Sequence, residues 1–422
     1  MFIGRENSRT GEGEYMGIKR EKNETDRYGN YILMYGGYYF ALAIFSVLIS
    51  VYLMGKGLTG AQGSLIVSAS YLMSMVVQPM LGVWQDRGDK KKITVLLLCL
   101  SAGTGIAFLM SRSLPGLLVF YGATITLVNS ATPYIEKSAT VSRFPYRSIR
   151  IWGTIGYGVG AQIAGVVYDH LSPGSMYCLF AVMILLAAAG VWGSRGLGET
   201  TESAGDQNTG VRKAGNGRQE KQPATEYRQA VLANRKFLVY ILIAALFYAT
   251  TSLNSTYIPM LYQEAGLSVS TSSTILFAAT LMELPVIFFA SAYMNRFTGK
   301  QLLLAVFCIL ILQFSAYAFA PWTMVKIAAT VLLKSSVTMI YIMLNIKVVS
   351  ALVSPLYQMS ALTLVSALSR NMITILIQNI GGTILDRLSV NALYGMLSGL
   401  AVLGFVLTAL VRMPKEQEQM RF

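Results

Sequence analysis

The stretch Gly82-Val83-Trp84-Gln85-Asp86-Arg87-Gly88-Asp89-Lys90-Lys91 is a polar, basic hinge at the junction of two long apolar runs, 62–85 and 94–112. About twenty apolar residues span a bilayer as a helix, so each run predicts a crossing and the hinge turns the chain back between them. Reading outward gives ten further runs: 31–54, 115–138, 149–169, 175–193, 237–261, 271–294, 301–320, 323–348, 358–384 and 391–412. The composition agrees. Hydrophobic residues make up 54% and charged residues 13%, against about a quarter charged in a soluble domain. A transmembrane β-barrel needs strands of roughly ten alternating residues, and the apolar runs are continuous instead. The expectation is an all-α membrane protein of twelve transmembrane helices.

The hinge also returns. Gly82…Asp86-Arg87…Lys91 resembles Ser291…Asn295-Arg296…Lys300 at the same offset. Gly55-Lys56-Gly57-Leu58-Thr59 resembles Glu264-Ala265-Gly266-Leu267-Ser268, and Gly165…Asp169-His170-Leu171-Ser172…Tyr177 resembles Gly382…Asp386-Arg387-Leu388-Ser389…Tyr394. Three matches in the same order predict two pseudo-symmetric six-helix bundles, 31–193 and 237–412. Around them lie an N-terminal segment 1–30, a polar tether 194–236 and a tail 413–422. The tether is rich in Gly, Gln, Glu, Lys and Arg, too polar to bury a core.

The net charge of +14 sits in the connections, not on a surface for nucleic acid. Arg20, Arg27, Arg87, Lys90 to Lys92, Lys137, Arg143, Arg147, Arg296, Lys300, Lys347 and Lys415 fall on one side; Lys56, Arg112, His170 and Arg387 fall on the other. Loops rich in Lys and Arg stay cytoplasmic, so both termini and the tether are expected there, in a plasma (inner) membrane. Cys99, Cys178 and Cys308 have no metal-ligand spacing and read as packing thiols. His170 reads as a surface residue. Trp84, Trp192 and Trp322 read as interface anchors, and Gly153, Gly156, Gly158 and Gly160 as close helix contacts. With no P-loop, paired catalytic acids or nucleophile motif, neither an enzyme nor a cofactor is expected.

The hinge, Gly82 to Lys91, resembles the loop signature of the major facilitator superfamily, with Gly88 directly after Arg87 and an acid at Asp89 as departures. Ile135-Glu136-Lys137, Arg150-Ile151-Trp152-Gly153-Thr154-Ile155-Gly156-Tyr157 and Met282-Glu283-Leu284-Pro285 are similar to the lactose-permease-like branch of proton-coupled sugar and nucleoside symporters. The resemblance implies the major facilitator fold, with Arg150 bonding the solute and Tyr157 packing on it where the branch stacks a tryptophan. It implies a gating latch at Asp86 and Arg87. The acid of the branch's galactoside site falls on Thr132, its histidine near Lys334, its proton-carrying acid near Val337, and a lysine of span eleven on Arg370. The galactoside chemistry is therefore not carried over, although the scaffold is.

An ionisable side chain inside a membrane is a functional candidate by default. Glu283, Lys334 and Arg370 lie near one depth, and Lys334, Thr338, Tyr341 and Asn345 share a helical face. Arg150, Thr154 and Tyr157 share another, Asn129, Thr132 and Glu136 a third, and span one offers Tyr31, Tyr35, Tyr38 and Tyr39. The candidate solute contacts are Arg150, Tyr157, Thr132, Tyr35, Lys334, Tyr341 and Asn345. Glu283, Lys334 and Arg370 are the candidates for coupling, and Asp86, Arg87 and Glu136 for gating. Glu283 and Lys334 alternatively form a buried pair that only specifies packing. The sequence thus points to a monomeric secondary transporter that moves a small polar solute, sugar-like or anionic, with a proton. A drug or metabolite exporter and a non-transporting sensor or lipid-handling protein are the alternatives on this scaffold.

Overall fold

A computed structural model describes residues 27–194, 235–353 and 365–411, apart from the side chains of 86, 147, 291 and 366–368. The outer parts of the expected N-terminal segment, the tether, the tail and the start of span eleven lie outside the described residues. The first half holds α1 (Tyr28–Gly55), α2 (Gly60–Arg87), α3 (Lys90–Met110), α4 (Leu114–Thr140), α5 (Tyr146–His170) and α6 (Ser175–Gly193). The second holds α7 (Arg235–Glu264), α8 (Val269–Leu281, Glu283–Phe288 and Ala290–Arg296), α9 (Gly299–Phe319), α10 (Thr323–Leu352), α11 (Ser366–Ile373 and Thr374–Arg387) and α12 (Val390–Leu410). Among the described residues, ten helices are long and apolar enough to cross a membrane. The two others, α5 and α11, are the equivalent helices of the two halves and carry Arg150 and Arg370. Glycines and polar groups on their inner faces dilute the apolar signal.

The repeat read from sequence has a local physical cause. Gly57 (φ 84°) and Gly266 (φ 81°) end the first helix of each half in the left-handed region, which a side chain disfavours. The stop is closed by the same bonds, Leu58 N–H to Leu53 O and Leu267 N–H to Tyr262 O. Thr59 then caps α2 and Ser268 caps α8 through their hydroxyls, satisfying donors that a helix start leaves open. The hinge does the same one helix later: the Asp89 carboxylate accepts from the backbone N–H of Lys91 and Lys92 to start α3, and Thr298 starts α9.

The basic loops do more than mark a side. Lys91 Nζ donates to Ser194 O at the end of α6 (2.7 Å), and its repeat partner Lys300 donates to Ala409 O and Val411 O at the end of α12 (2.7 and 2.9 Å). Lys347, buried, donates to Met294 O and Phe297 O where α8 ends. Carbonyls left unpaired at a helix C-terminus carry partial negative charge, and lysine satisfies both needs.

Within the first half α1 packs on α5 and α6, α3 on α4 and α6, and α2 on α4. Phe45 lies at the centre, against Phe108, Tyr121, Tyr177 and Phe180. The glycines of α5 permit this: a Cβ on Gly156 would meet the Gly36 carbonyl of α1, and one on Gly160 the Phe40 backbone. The halves meet along two seams, α5 against α8 and α2 against α11. The three cysteines correct the sequence reading. All are exposed on outward faces, because an apolar thiol suits a lipid-facing position as well as a packed one.

Candidate functional site

Arg150 stands on the inner face of α5, and the neighbouring helices supply its partners. Its Nη1 donates to Glu136 Oε1 (2.8 Å) from α4, to Tyr35 Oη (2.8 Å) from α1, and over a longer reach to Tyr39 Oη (3.4 Å). Tyr39 Oη donates to Glu136 Oε1 (2.8 Å), and Tyr146 Oη to Oε2 (2.9 Å). One carboxylate therefore accepts from three side chains on α1 and α5. The guanidinium and carboxylate keep 40% and 29% of their surface accessible although they lie within the bundle. Among the described residues only Nη1 of Arg150 is engaged, so Nη2 and Nε keep donors for a solute. Beside this group Tyr38 Oη donates to Val128 O and pairs with Thr132 Oγ1 (2.6 Å).

The opposite wall belongs to the second half. Glu283 lies beside Ser335 and within electrostatic reach of Lys334 and of Arg150 across the halves. Tyr157 of α5 also faces Glu283. Arg370 is exposed and faces Tyr248 and the first half's Tyr38. Each of these three charges sits where its helix departs from regular α-geometry. Glu283 opens a new segment after the break at Met282, with Pro285 following. Lys334 closes a π-helical stretch, Thr330–Lys334, and Arg370 lies inside another, Ser366–Ile373. Such irregularity frees backbone groups and is tolerated in membranes only where protein or a water-filled cavity receives them. None of the six first-half helices carries a π-helical stretch among the described residues.

The sequence candidates separate into those that converge and those that do not. Arg150, Glu136, Tyr35, Thr132, Tyr157, Glu283, Lys334 and Arg370 gather around the space between the halves. Glu136, expected in gating, is instead the ion-pair partner of Arg150. Glu283 and Lys334, expected as a buried pair on the packing alternative, are not in ion-pair contact, whereas Arg150 and Glu136 are. Tyr341 and Asn345 are committed to packing: Tyr341 stacks on Phe247 at 3.6 Å, and Asn345 Oδ1 accepts from buried Tyr240 (2.6 Å). Arg87 is exposed at the end of α2, and the Asp86 side chain lies outside the described residues. Tyr146 and Ser335 were not singled out from sequence. Tyr146 precedes the apolar run of α5, and serine is common in every span. Counting back from Gly82 and Ser291 pairs Ser74 with Glu283; Ser74 bonds Thr126 in the first half (3.0 Å), and Glu283 has Ser335 beside it. The acid stands where the first half has a serine.

Comparison with known proteins agrees with this architecture. The MFS_1 like family model matches residues 28–396. The uncharacterized transporter YwbF of Bacillus subtilis (strain 168) is 25% identical over 393 residues, covering 90% of this chain and 92% of that one. Maltose permease of Geobacillus stearothermophilus is 25% identical over 390 residues, covering 90% and 93%. Among solved structures, the nucleoside transporter NupG superposes with a TM-score of 0.75 at 13% identity, over 91% of this chain and 99% of that one. The relatives are transporters and not enzymes. The chain belongs to the MFS_1 like family and is an integral multi-pass secondary transporter of the major facilitator type.

Proposed function

We propose that the protein carries a small hydroxyl-rich, sugar-like solute across the membrane by alternating access, in symport with a proton, and that it works as a monomer with both termini in the cytoplasm. The observation that carries this reading is the Arg150–Glu136–tyrosine cluster. It presents a half-exposed guanidinium whose charge is already balanced, with free donors and flanking phenols, which suits neutral hydroxyls. Its likeness to maltose permease supports the same solute class. Glu283 faces this cluster from the other half and is the candidate proton carrier. A carboxyl in a desolvated site changes its proton affinity when a cation approaches or withdraws, and Lys334 and Arg150 are the cations in reach.

A second reading rests on a specific imbalance. Three cations, Arg150, Lys334 and Arg370, line the space against two acids, Glu136 and Glu283. An arginine fork also suits carboxylate or phosphate, so an anionic sugar derivative is the competing solute. Purified protein, melted in the presence of neutral glycosides, nucleosides, carboxylates and sugar phosphates, separates the two, since a ligand of the folded state raises Tm by mass action. Stabilisation by neutral glycosides that Arg150→Ala abolishes supports the first reading; stabilisation by anions alone that Lys334→Ala abolishes replaces it with the second. Coupling is tested in proteoliposomes: uphill uptake driven by an inward proton gradient should vanish in Glu283→Gln while solute exchange persists. Uptake indifferent to the gradient in the parent protein removes the proton from the mechanism.

A further inference from the structure

At the face away from the termini, each seam ends in the same contact. Asp169, next to last in α5, accepts from Ser270 N–H (2.6 Å) in the first turn of α8. Asp386, next to last in α11, accepts with both oxygens, from Gly60 N–H (2.5 Å) and Ala61 N–H (2.8 Å) in the first turn of α2. These donors belong to helix starts, which leave N–H groups unpaired and present partial positive charge. Both helices already have caps of their own in Ser268 and Thr59. The aspartates are therefore additional partners, and each comes from the other half of the molecule.

One turn deeper, each seam has a glycine at the crossing. A Cβ on Gly165 would fall on the Ser273 side chain and the Val269 carbonyl, and one on Gly382 on the Ser64 side chain and the Gly60 carbonyl. The glycines let the helices close until the aspartates reach the opposing helix starts. Gln162, Gly165 and Asp169 follow at steps of three and four, and Gln378, Gly382 and Asp386 at steps of four, so each set lines one face of its helix. Those faces also carry a cost. Gln378, fully buried, has neither amide atom bonded; Gln162 Oε1, Thr374 Oγ1 and Ser273 Oγ are likewise buried without a partner. A buried polar group without a hydrogen bond destabilises the arrangement that buries it. Water entering the seams would satisfy all of them.

We propose that Asp169 and Asp386 are a paired latch that holds this face shut, and that the unsatisfied groups beneath make the shut seam ready to open once the latch releases. The inference rests on the alternating-access reading. It adds which contacts set the balance between the two states: a few charge-assisted bonds at the rim, opposed by polar groups that prefer water. Two balanced packings of this kind are what a switching interface requires.

The test is the reactivity of a cysteine at position 378, installed as Gln378→Cys after Cys99, Cys178 and Cys308 are changed to serine. In vesicles of known orientation, a membrane-impermeant maleimide added on the face away from the termini reads the opening of the α2–α11 seam directly and needs no solute. Asp386→Ala should raise the labelling rate about tenfold or more, the scale of lost charge-assisted bonds. Asp169→Ala should also raise it, through the other seam, and the double variant should exceed either. Asp386→Asn, which keeps an acceptor, should fall between. Unchanged labelling in Asp169→Ala and Asp386→Ala, with melting temperatures near the parent's, overturns the latch. A variant too unstable to purify is replaced by Gly382→Ala, whose added Cβ must part the same seam and raise labelling; no increase there overturns it equally. Solute exchange on the same vesicles separates the premises: faster labelling without any exchange keeps the latch and removes transport, whereas exchange with unaltered labelling keeps transport and removes the latch.

Discussion

Arg150 is the residue on which the site turns, and its surroundings define what its loss should do. Removing Glu136 leaves the guanidinium with phenols alone, whereas removing Arg150 leaves a carboxylate facing hydroxyls that it can still accept from. Breaking a buried ion pair costs about 3–5 kcal/mol, but this pair is 40% and 29% accessible, so the stability cost shrinks toward the value of roughly 1 kcal/mol typical of exposed pairs. The effect on solute should be larger than the effect on folding. Arg150→Ala is expected to weaken solute binding by more than tenfold while Tm falls only slightly. Arg150→Lys should not restore binding, because an ammonium cannot serve Glu136 and a solute with separate nitrogens. Titration calorimetry beside a thermal melt checks both. A collapse of Tm in parallel with binding would make the cluster structural. The sequence identified Arg150 and Glu136, but gave them separate roles. Periodicity says which residues share one helix face; it does not say which residues meet across helices. For that reason it does not single out Tyr146, and it offers Tyr341 and Asn345 to a solute where the structure packs them on Phe247 and Tyr240.

At the scale of elements, much of the fold was legible because the local signals are strong. Gly57 and Gly266 stop helices, Thr59, Asp89 and Ser268 start them, and lysines close them, each through bonds visible as residue types at fixed offsets. The boundaries moved by a few residues, as at α1, which begins at Tyr28 rather than 31, since Tyr28 and Asn30 bond the Ser148 and Gly193 carbonyls and tie the added turn to α5 and α6. The cap at Asp89 carries a pH dependence. Its carboxylate is held below the ordinary value of 3.8, first by the backbone N–H of Lys92 and then by the Lys92 ammonium and the N–H of Lys91. A depressed carboxylate contributes stability that is present above 3.8 and is lost as pH falls through the lower folded value. Asp89→Ala is expected to cost about 1 kcal/mol near neutral pH. Asp89→Asn should keep most of the cap and lose its share of the acid dependence, which melts in detergent between neutral pH and about pH 3 would register. Packing offers a sharper contrast. Gly156→Val drives a side chain into the Gly36 backbone and should cost about 1–3 kcal/mol by overpacking, whereas Gly103→Ala meets nothing within 4 Å and should be neutral or gain up to about 1 kcal/mol from helix propensity. Equal losses at both positions would mean that α1 and α5 do not depend on glycine to approach.

Taken whole, the molecule is a repeat whose halves have diverged in regularity. The first half holds its charges on helices that carry no π-helical stretch among the described residues and neutralises them internally, Arg150 with Glu136. The second holds Glu283, Lys334 and Arg370 at a helix break and in two π-helical stretches, with no ion pair among them. No sequence signal marks a π-helical turn, because it depends on how one extra residue is absorbed against neighbouring helices; the charges were readable and the distortion beneath them was not. Distorted backbone has weaker or missing i→i−4 bonds, so it opens locally at lower cost than a regular helix. Amide hydrogen exchange should therefore be faster at 283–288, 330–334 and 366–373 than at the equivalent turns of α2, α4 and α5. A bound solute should slow exchange in those second-half segments more than around Arg150, because the segments gain contacts that the Arg150 cluster already has. Mass-spectrometric exchange on protein in lipid nanodiscs, with and without solute, measures both differences. Equal exchange in the two halves would mean that the irregular turns are as rigid as the straight ones, and the conformational change would then have to lie in the seams alone, with each half moving as a rigid body.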